Sequence, residues 1–282
     1  MKITVMSLFR NSEKGLPKLF SRLEKLEKKY QMEYYFYEND STDRTVEELE
    51  IWMLSREGKV ISEILDAPTF GHTPDEERMK MMTYYRNRLL NGIKPIDSDF
   101  CFIIDSDVDF NENIIDDYLK YMKDDVAMCT PFVKQNIKCN MCMCGKQTYY
   151  DTFAIQDKDN SEGLLLSCNP FQRKEDRQSW KNLEPVVVNS AFGGAALVRT
   201  EAVNNTEWAT KRKESAYNVE GRMMGSCEHW AFCKGVSKYG KILVIPTIFT
   251  FVKMKEWSLQ PALKDLQLRI IEDPWQRWAA NL

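Results

Sequence analysis

A wholly apolar run, Phe100–Ile104, is followed at once by three aspartates, Asp105, Asp107 and Asp109. Such a run is typical of a central strand that is buried on both faces of a sheet. Carboxylates at the end of that strand repel one another and lose hydration, so a cation or hydrogen-bond donors must compensate for their charge. Because side chains alternate along a strand, the spacing predicts that the three aspartates project to the same side.

Carboxylates spaced in this way can share one hard divalent ion. Mg²⁺ and Mn²⁺ prefer oxygen ligands and keep coordination positions open for substrate phosphates. The pattern therefore favours a metal site at Asp105 and Asp107. The alternative is an aspartate-rich turn whose side chains accept hydrogen bonds from backbone amides, and the spacing alone leaves both interpretations open.

The first half of the chain alternates strand and helix patterns. The predicted elements are a strand at 3–8, a helix at about 15–30, a strand at 34–37, a helix around Trp52, a strand at 59–65 and a helix at about 75–92. This order predicts an α/β fold with a mostly parallel central sheet and helices on both faces. Ligands of such sheets bind beyond the carboxyl ends of the strands. The polar residues that follow the predicted strands are Arg10, Asn11, Glu38, Asp40, Asp43 and Asp105.

The second half is less regular. It has a loop-rich stretch at 134–185, a glycine-bearing turn within 186–199 and a final pair of strands that we expect to break at Pro246. We find no internal repeat and no long linker, so we expect one domain over residues 1–282, with halves at about 1–132 and about 133–282.

Charge and hydropathy argue against several classes of protein. Lys and Arg total 39 against 42 Asp and Glu, which gives a net charge of −3, and no basic block stands out. We therefore expect no nucleic-acid partner. No apolar run approaches the length of a transmembrane helix, and the first strand begins too early for a signal peptide. A soluble cytoplasmic protein is the expectation.

The chain has eight cysteines and two histidines, which offer few combinations for a metal site. Cys139 and Cys142 have the C-x-x-C spacing of zinc sites, but a matching second pair is missing. We expect the cysteines to be buried or surface thiols and His72 to be a loop residue.

Five motifs follow one another along the chain: YENDSTDRT at 37–45, YRNRLL at 85–90, FIIDSDVDF at 102–110, SAFGGAALVR at 190–199 and CEH at 227–229. This ordered set resembles the GT-A glycosyltransferases. With YDTF at 150–153, it is most similar to the Cap59-like mannosyltransferases of fungi and the capsid-glycosylating transferases of large algal viruses. The resemblance covers about residues 1–250. It implies a Rossmann-like GT-A fold in which the first half binds a nucleotide sugar and the second half binds the acceptor.

The resemblance also implies roles for individual residues. Asp107 would bind Mn²⁺ or Mg²⁺, with Asp105 beside it and in contact with the ribose or the donor sugar. Arg86 would reach the diphosphate or donor sugar, and the glycines at 193–194 would let the backbone approach the sugar closely. The residues assigned to the donor are Arg10, Asn11, Glu38, Asp40, Asp43, Arg86, Asn87, Asp105, Ser106, Gly193 and Gly194.

Glycosyl transfer by inversion needs a carboxylate base near the acceptor hydroxyl and a stabilised leaving group. Glu228 is the first candidate base, because it opens a predicted helix whose N-terminus favours a carboxylate. Asp151 is the second candidate. His229 is a candidate third metal ligand. The structural alternatives are an ordinary first-turn glutamate, a capping aspartate and a packed histidine.

Three functions compete. The first is a metal-dependent glycosyltransferase that moves a sugar from a UDP-sugar to a glycan or glycoprotein by inversion, and the viral likeness implies UDP-xylose as this donor. A retaining mannosyltransferase that uses GDP-mannose is its closest alternative. The second is a nucleotidyltransferase, which would need a glycine-rich phosphate loop after the first strand, where this chain has a single glycine, Gly15. The third is an inactive nucleotide-sugar-binding protein.

Overall fold

The computed structural model describes residues 1–70, 75–139, 146–165, 167–217 and 223–252. His72 and Cys142 lie outside these ranges. The strands are β1 (Lys2–Phe9), β2 (Gln31–Asn39), β3 (Gly58–Glu63), β4 (Phe100–Asp105), β5 (Val108–Phe110), β6 (Val126–Lys138), β7 (Gln147–Tyr149), β8 (Val186–Val188), β9 (Ala195–Arg199), β10 (Arg212–Tyr217), β11 (Met223–Gly225) and β12 (Lys241–Val252). The helices are α1 (Leu16–Glu27), α2 (Thr45–Met53), α3 (Glu76–Asn91), α4 (Ile114–Leu119), α5 (Lys174–Lys181), α6 (Thr200–Asn204) and α7 (Glu228–Val236).

Ten strands form one mixed sheet in the order β3-β2-β1-β4-β9-β6-β12-β5, with β7 beside β6 and β8 beside β12. Strands β3, β2, β1 and β4 are parallel, which confirms the predicted α/β class. The register pairs Leu8 with Asp105 and Phe9 with Glu38. The carboxyl ends of β1, β2 and β4 therefore share one edge of the sheet.

Strand β9 runs against both of its neighbours, β4 and β6. It pairs Ala195 with Ile104, so its first residues lie beside the last residues of β4. Because β9 is reversed, β6 and β12 run in the same direction as β4. The second half of the chain thereby extends the parallel part of the sheet past a single reversed strand.

The core lies on both faces of the sheet, as expected for a layered α/β fold. Helices α3 and α7 cover one face, with Leu89, Leu90 and Phe232 in a single apolar cluster. Helices α1, α2 and α4 cover the other face and contribute Leu23, Trp52 and other residues to a second cluster. Alternate residues of the buried strands supply both clusters. None of the helices that the structure describes is long and apolar enough to cross a bilayer.

Two predictions about local structure are wrong. Strand β4 ends at Asp105, and residues 106–107 form a turn, so the alternation of side chains does not continue to Asp109. Asp109 instead pairs with Lys18 and Arg22 of α1. The second case is Pro246, which lies inside the continuous strand β12, where a shift of register beside β6 accommodates the missing N–H.

Candidate active site

Arg86 of α3 lies at the centre of a charged cluster at the carboxyl edge of the sheet. Its Nη2 donates to Oδ1 of Asp105 at the end of β4, and its Nε donates to Oε1 of Glu228 at the start of α7, each at 3.2 Å. Only 5% of the Arg86 side chain is exposed, and the guanidinium lies 5.1 Å from the ring centre of Phe192. Because a buried guanidinium requires paired charges, Arg86 ties α3, β4 and α7 together at this point.

A glycine turn before β9 forms the opposite wall of the cluster. Gly193 and Gly194 have φ angles of +68° and +70°, a conformation that favours glycine. The N–H of Gly193 donates to Oδ2 of Asp151 at 2.9 Å, and the carbonyl of Gly194 accepts from the N–H of Asp105 at 2.8 Å. A Cβ atom on Gly194 would lie 2.5 Å from Cγ2 of Val108. The two glycines thus bring Asp105 and Asp151 together, and their approach to a donor sugar stays a prediction.

Asp105 and Asp151 hold their protons more tightly than ordinary aspartates. Burial raises the pKa of Asp105 to about 7, and the charges of Asp107 and Asp151 add to the rise while Arg86 opposes it. Burial also raises the pKa of Asp151 to about 6, against the hydrogen bond from Gly193. Negative charge is therefore in excess at this edge, and a cation would stabilise the ionised carboxylates.

The neighbouring pair on α7 shifts in the other direction. Burial raises the pKa of Glu228, but His229, Arg86 and Arg78 outweigh it and lower the value to about 2. Burial and the charge of Arg86 lower the pKa of His229 to about 3, so the imidazole is neutral near pH 7. Its ring stacks on Phe192 with 4.1 Å between centroids. Its Nε2 lies 3.5 Å from Oε1 of Glu228, and its buried Nδ1 has no hydrogen-bond partner among the residues that the structure describes.

The carboxylates of Asp105 and Asp107 and Nδ1 of His229 are suitable ligands for a divalent cation. Within the described ranges, no three His, Cys, Asp or Glu side chains already form a metal cluster. The Asp105 and Asp107 carboxylates nevertheless lie close enough to raise the pKa of Asp105, and the unpaired Nδ1 of neutral His229 is a lone-pair donor. Carboxylate oxygens suit Mg²⁺ and Mn²⁺, and the neutral imidazole is the form of histidine that binds metals.

The residues after β1 and β2 that the sequence assigns to the sugar donor make hydrogen bonds within the protein. Asp40 accepts hydrogen bonds from the N–H groups of residues 65–67 at 2.7 to 3.2 Å. Arg10 donates to the carbonyls of Ala67 and Pro68 at 2.7 and 3.0 Å. These contacts fix the loop that follows β3, and the roles of Asp40 and Arg10 toward a donor stay predictions.

Three more of these residues hold the turn between β2 and α2. Glu38 and Asn11 accept from the N–H groups of residues 41–42 at 2.8 and 2.7 Å. Asp43 accepts from the N–H of Thr45 at 3.0 Å, at the start of α2. All three lie at the same carboxyl edge as Asp105, but the structure does not bring them into the Arg86 cluster.

Asn87 and Ser106 flank the cluster. Nδ2 of Asn87 donates to the carbonyl of Trp208 at 2.8 Å, and Oδ1 accepts from the N–H of Trp208 at 2.9 Å. Asn87 therefore fixes the segment before β10 beside α3. Ser106 lies in the turn after β4, with its Oγ 3.4 Å from Oγ of Ser12.

One residue near the cluster, Arg78, is missing from the sequence-based set. Arg78 is half-buried on α3, and its charge lowers the pKa of Glu228 against burial. Burial raises the pKa of Tyr150, with Asp107 and Asp151 adding to the rise and Arg78 opposing it. Arg78 lies eight residues before Arg86, a spacing that keeps both on one side of a helix. That spacing is a signal that could have identified it.

A small cavity beneath Arg86 adds polar atoms at the junction of β1 and β4. Its lining residues are Met6, Ser7, Leu8, Arg86, Leu89, Ile103 and Trp208. Within the described part of the chain, Oγ of Ser7 and Nε1 of Trp208 are buried there without hydrogen-bond partners. The sequence offers no local sign of this cavity, because its walls come from distant parts of the chain.

The family model described as Cryptococcal mannosyltransferase 1 matches residues 2–233 of this chain. No curated protein matches the chain in sequence.

Several solved glycosyltransferases are similar in structure. GalNAc-T7 with UDP, GalNAc and Mn²⁺ has a TM-score of 0.54 at 13% identity, over 90% of this chain and 44% of that chain. The mannosyltransferase PcManGT from Pyrobaculum calidifontis, in complex with GDP-Man and Mn²⁺, has a TM-score of 0.53 at 11% identity, over 96% and 64%. S. aureus TarS in complex with UDP-GlcNAc has a TM-score of 0.48 at 17% identity, over 91% and 59%. The chain thus spans less than two thirds of each of these proteins. The similarity to GalNAc-T7 and PcManGT confirms the predicted GT-A fold.

Proposed function

Because the chain belongs to the Cryptococcal mannosyltransferase 1 family and is a glycosyltransferase of GT-A fold, we propose that it moves a sugar from a nucleotide-diphosphate sugar to a hydroxyl of a glycan or glycoprotein. The observation that carries this proposal is the excess of carboxylates around Arg86 at the carboxyl edge of the sheet. An anionic donor and a divalent cation together would balance that charge.

We assign the cation to Asp107 and Asp105, with Nδ1 of His229 as a third ligand. The unpaired Nδ1 and the raised pKa of the buried Asp105 support this assignment. A bound divalent cation neutralises the diphosphate and makes the nucleotide a better leaving group. Arg86 uses Nε and Nη2 in its two ion pairs, and we assign its Nη1 to the donor. The half-buried Arg78 supplies a second guanidinium on the same helix.

We assign the base to Asp151 and treat Glu228 as the alternative. A general base works best with a pKa near the working pH. Asp151, whose pKa burial raises to about 6, meets this condition. Glu228 is held by Arg86, and its pKa is lowered to about 2. In an inverting transfer, Asp151 takes the proton of the acceptor hydroxyl as that oxygen attacks the anomeric carbon opposite the departing diphosphate.

The donor in this proposal is a UDP-sugar. The viral resemblance implies UDP-xylose. GDP-mannose with retention is the second candidate, because the family is named for a mannosyltransferase. The two differ in nucleotide, in sugar and in the anomeric configuration of the product. Each difference can be measured separately.

A thermal-shift panel tests the proposal. The purified protein is mixed with UDP, GDP, CMP and their common sugars, each with Mn²⁺ or with EDTA. A ligand at 100 times its dissociation constant stabilises the folded state by about 2.7 kcal/mol. We expect a shift that needs Mn²⁺, favours one nucleotide and disappears in Asp107→Ala.

Asp109→Ala is the matched control, because Asp109 belongs to the same aspartate motif but pairs with Lys18 and Arg22. It should keep the Mn²⁺-dependent shift. Nucleotide release with an acceptor then separates an enzyme from an inactive binding protein. A thermal shift that depends on neither Mn²⁺ nor Asp107 would contradict the proposal. Donor binding without turnover, with a broad set of acceptors, would also contradict it.

A further inference from the structure

Phe192, the residue before the glycine turn, contacts two members of the charged cluster. Its ring stacks on the imidazole of His229, with 4.1 Å between the ring centroids and 15° between the planes. The guanidinium carbon of Arg86 lies 5.1 Å from the centre of the same ring. Phe192 is 2% exposed. One buried apolar side chain therefore touches both the arginine assigned to the donor and the histidine assigned to the cation.

The imidazole of His229 is held by two neighbours. The Phe192 ring covers one face, and Oε1 of Glu228 lies 3.5 Å from Nε2. Glu228 is fixed in turn by Nε of Arg86 at 3.2 Å. Throughout the ranges that the structure describes, Nδ1 of His229 finds no hydrogen-bond partner. Because the torsion about the Cβ–Cγ bond of histidine has broad minima, the neighbours of the ring decide where Nδ1 points, and the Phe192 stack restricts that torsion.

We propose that Phe192 is a positioning residue for the cation site, whose ring keeps the His229 imidazole in the plane in which Nδ1 can bind Mn²⁺ or Mg²⁺. This role rests on the cation site proposed above at Asp107, Asp105 and His229. Phe192 supplies no ligand itself and acts through His229. Side chains that orient a metal-binding histidine contribute about 10- to 100-fold to metal affinity, and we expect an effect of that size.

A purely structural role for Phe192 is the alternative, and Phe171 provides the matched comparison. Both phenylalanines belong to the same apolar cluster, and Phe171 is 1% exposed. The Phe171 ring packs on Trp180 of α5, with 5.3 Å between the ring centroids. Replacement of either ring by leucine removes a similar amount of buried packing. Phe192→Leu removes in addition the flat face beside the imidazole, so the two variants separate packing from positioning.

Titration of the full chain with Mn²⁺ alone, followed by electron paramagnetic resonance of the free ion, tests the proposal. We expect Phe192→Leu to weaken Mn²⁺ binding by about 10- to 100-fold, and Phe171→Leu to leave the dissociation constant within about twofold of wild type. In a His229→Ala background, Phe192→Leu should weaken Mn²⁺ binding no further, because a double-mutant cycle reports whether two residues act through one another.

Three results would overturn the role of Phe192 alone. They are an unchanged Mn²⁺ affinity in Phe192→Leu, an equal loss of affinity in Phe171→Leu, and an equal further loss in the His229→Ala background. A wild-type protein that binds no Mn²⁺ would overturn the proposed cation site and this inference together. The wild-type titration therefore distinguishes failure of the positioning role from failure of the proposed function.

Proton NMR of the metal-free wild type tests the stack itself without a substitution at Phe192. The chain has two histidines, so few imidazole signals must be resolved, and their loss in His229→Ala assigns them. The carbon-bound protons of His229 should lie upfield of ordinary histidine values, because an aromatic face covers the ring. Added Mn²⁺ should broaden them. Signals at ordinary positions would overturn the proposal, which also decides the case in which Phe192→Leu does not fold.

Discussion

Asp40 and Asp105 follow two strands that flank β1 in the same sheet, yet their environments differ. Hydrogen bonds from Asn39 and from the N–H groups of residues 65–67 lower the pKa of Asp40 against the effect of burial. Burial and neighbouring carboxylates raise the pKa of Asp105. Backbone N–H groups stabilise the carboxylate of Asp40, whereas Asp105 has Arg86 as a partner and other carboxylates close by. We propose that the β2 end serves as a scaffold and the β4 end as part of the binding site.

The largest expected effect follows from replacing Asp151, the proposed base. Asp151→Asn should lower kcat by about 10²- to 10⁴-fold, because the acceptor hydroxyl loses its proton acceptor. Donor binding in the thermal-shift assay should persist. Steady-state release of nucleotide measures the change.

Glu228→Gln is the companion variant. If Glu228→Gln abolishes turnover at an unchanged melting temperature while Asp151→Asn stays active, the base is Glu228. Asp109→Asn should behave as wild type in the same assay, since its ion pairs lie on α1.

The second prediction concerns Arg86, whose guanidinium holds the cluster together. Arg86→Met should lower the free energy of unfolding by about 3–5 kcal/mol, because Glu228 and Asp105 are left without their buried partner. Arg10→Met, after β1, should cost only about 1–2 kcal/mol for its two hydrogen bonds to carbonyls. Urea denaturation measures both. Equal losses in the two variants would remove the distinction between the ends.

The third prediction concerns Asp40. Asp40→Asn should cost about 1–3 kcal/mol of stability, since an amide NH₂ would face backbone donors that now share a carboxylate. The dissociation constant for the donor should stay within about twofold, because a purely structural contact leaves binding free energy unchanged. Isothermal titration with the donor checks this point. Much weaker binding at unchanged stability would support the donor-contact role that the sequence resemblance implies.

The fourth prediction concerns pH dependence. The folded chain binds the Asp105 proton more tightly than the unfolded chain, because the pKa of Asp105 is raised from 3.8 to about 7. In metal-free protein, the contribution of Asp105 to stability should therefore decrease as the pH rises from about 4 to about 7. Mn²⁺ competes with that proton, so Mn²⁺-dependent stabilisation should grow over the same range. Melting curves of wild type and Asp105→Asn, with and without Mn²⁺, measure both slopes, and identical slopes would contradict the prediction.

The sequence predicts the first half of the fold well, because its signals are local. The apolar residues of α1, Leu16, Leu19, Phe20, Leu23 and Leu26, recur at helical spacing and are all buried. Asp75 caps α3 and Gly92 follows it, close to the predicted ends of this helix. Each of these features depends on residues within a few turns of one another.

The site could be predicted only in part, because its decisive contacts join distant residues. Arg86 and Glu228 are 142 residues apart, and no spacing rule connects them. Asp109 was misplaced because the rule of alternation applies within a strand, and β4 ends at Asp105. The same limit applies to the Ser7 and Trp208 cavity, whose walls belong to separate elements.

The reversed strand β9 gives this edge of the sheet a mixed polarity. The carboxyl edge of a purely parallel sheet presents the carbonyl ends of its strands. Here the amino end of β9 enters the same edge, and the N–H of Gly193 already binds the carboxylate of Asp151. One short surface can therefore offer amide hydrogens to an anion and oxygen atoms to a cation. A charged ligand and its counter-ion can be recognised there side by side without any long loop being added to the fold.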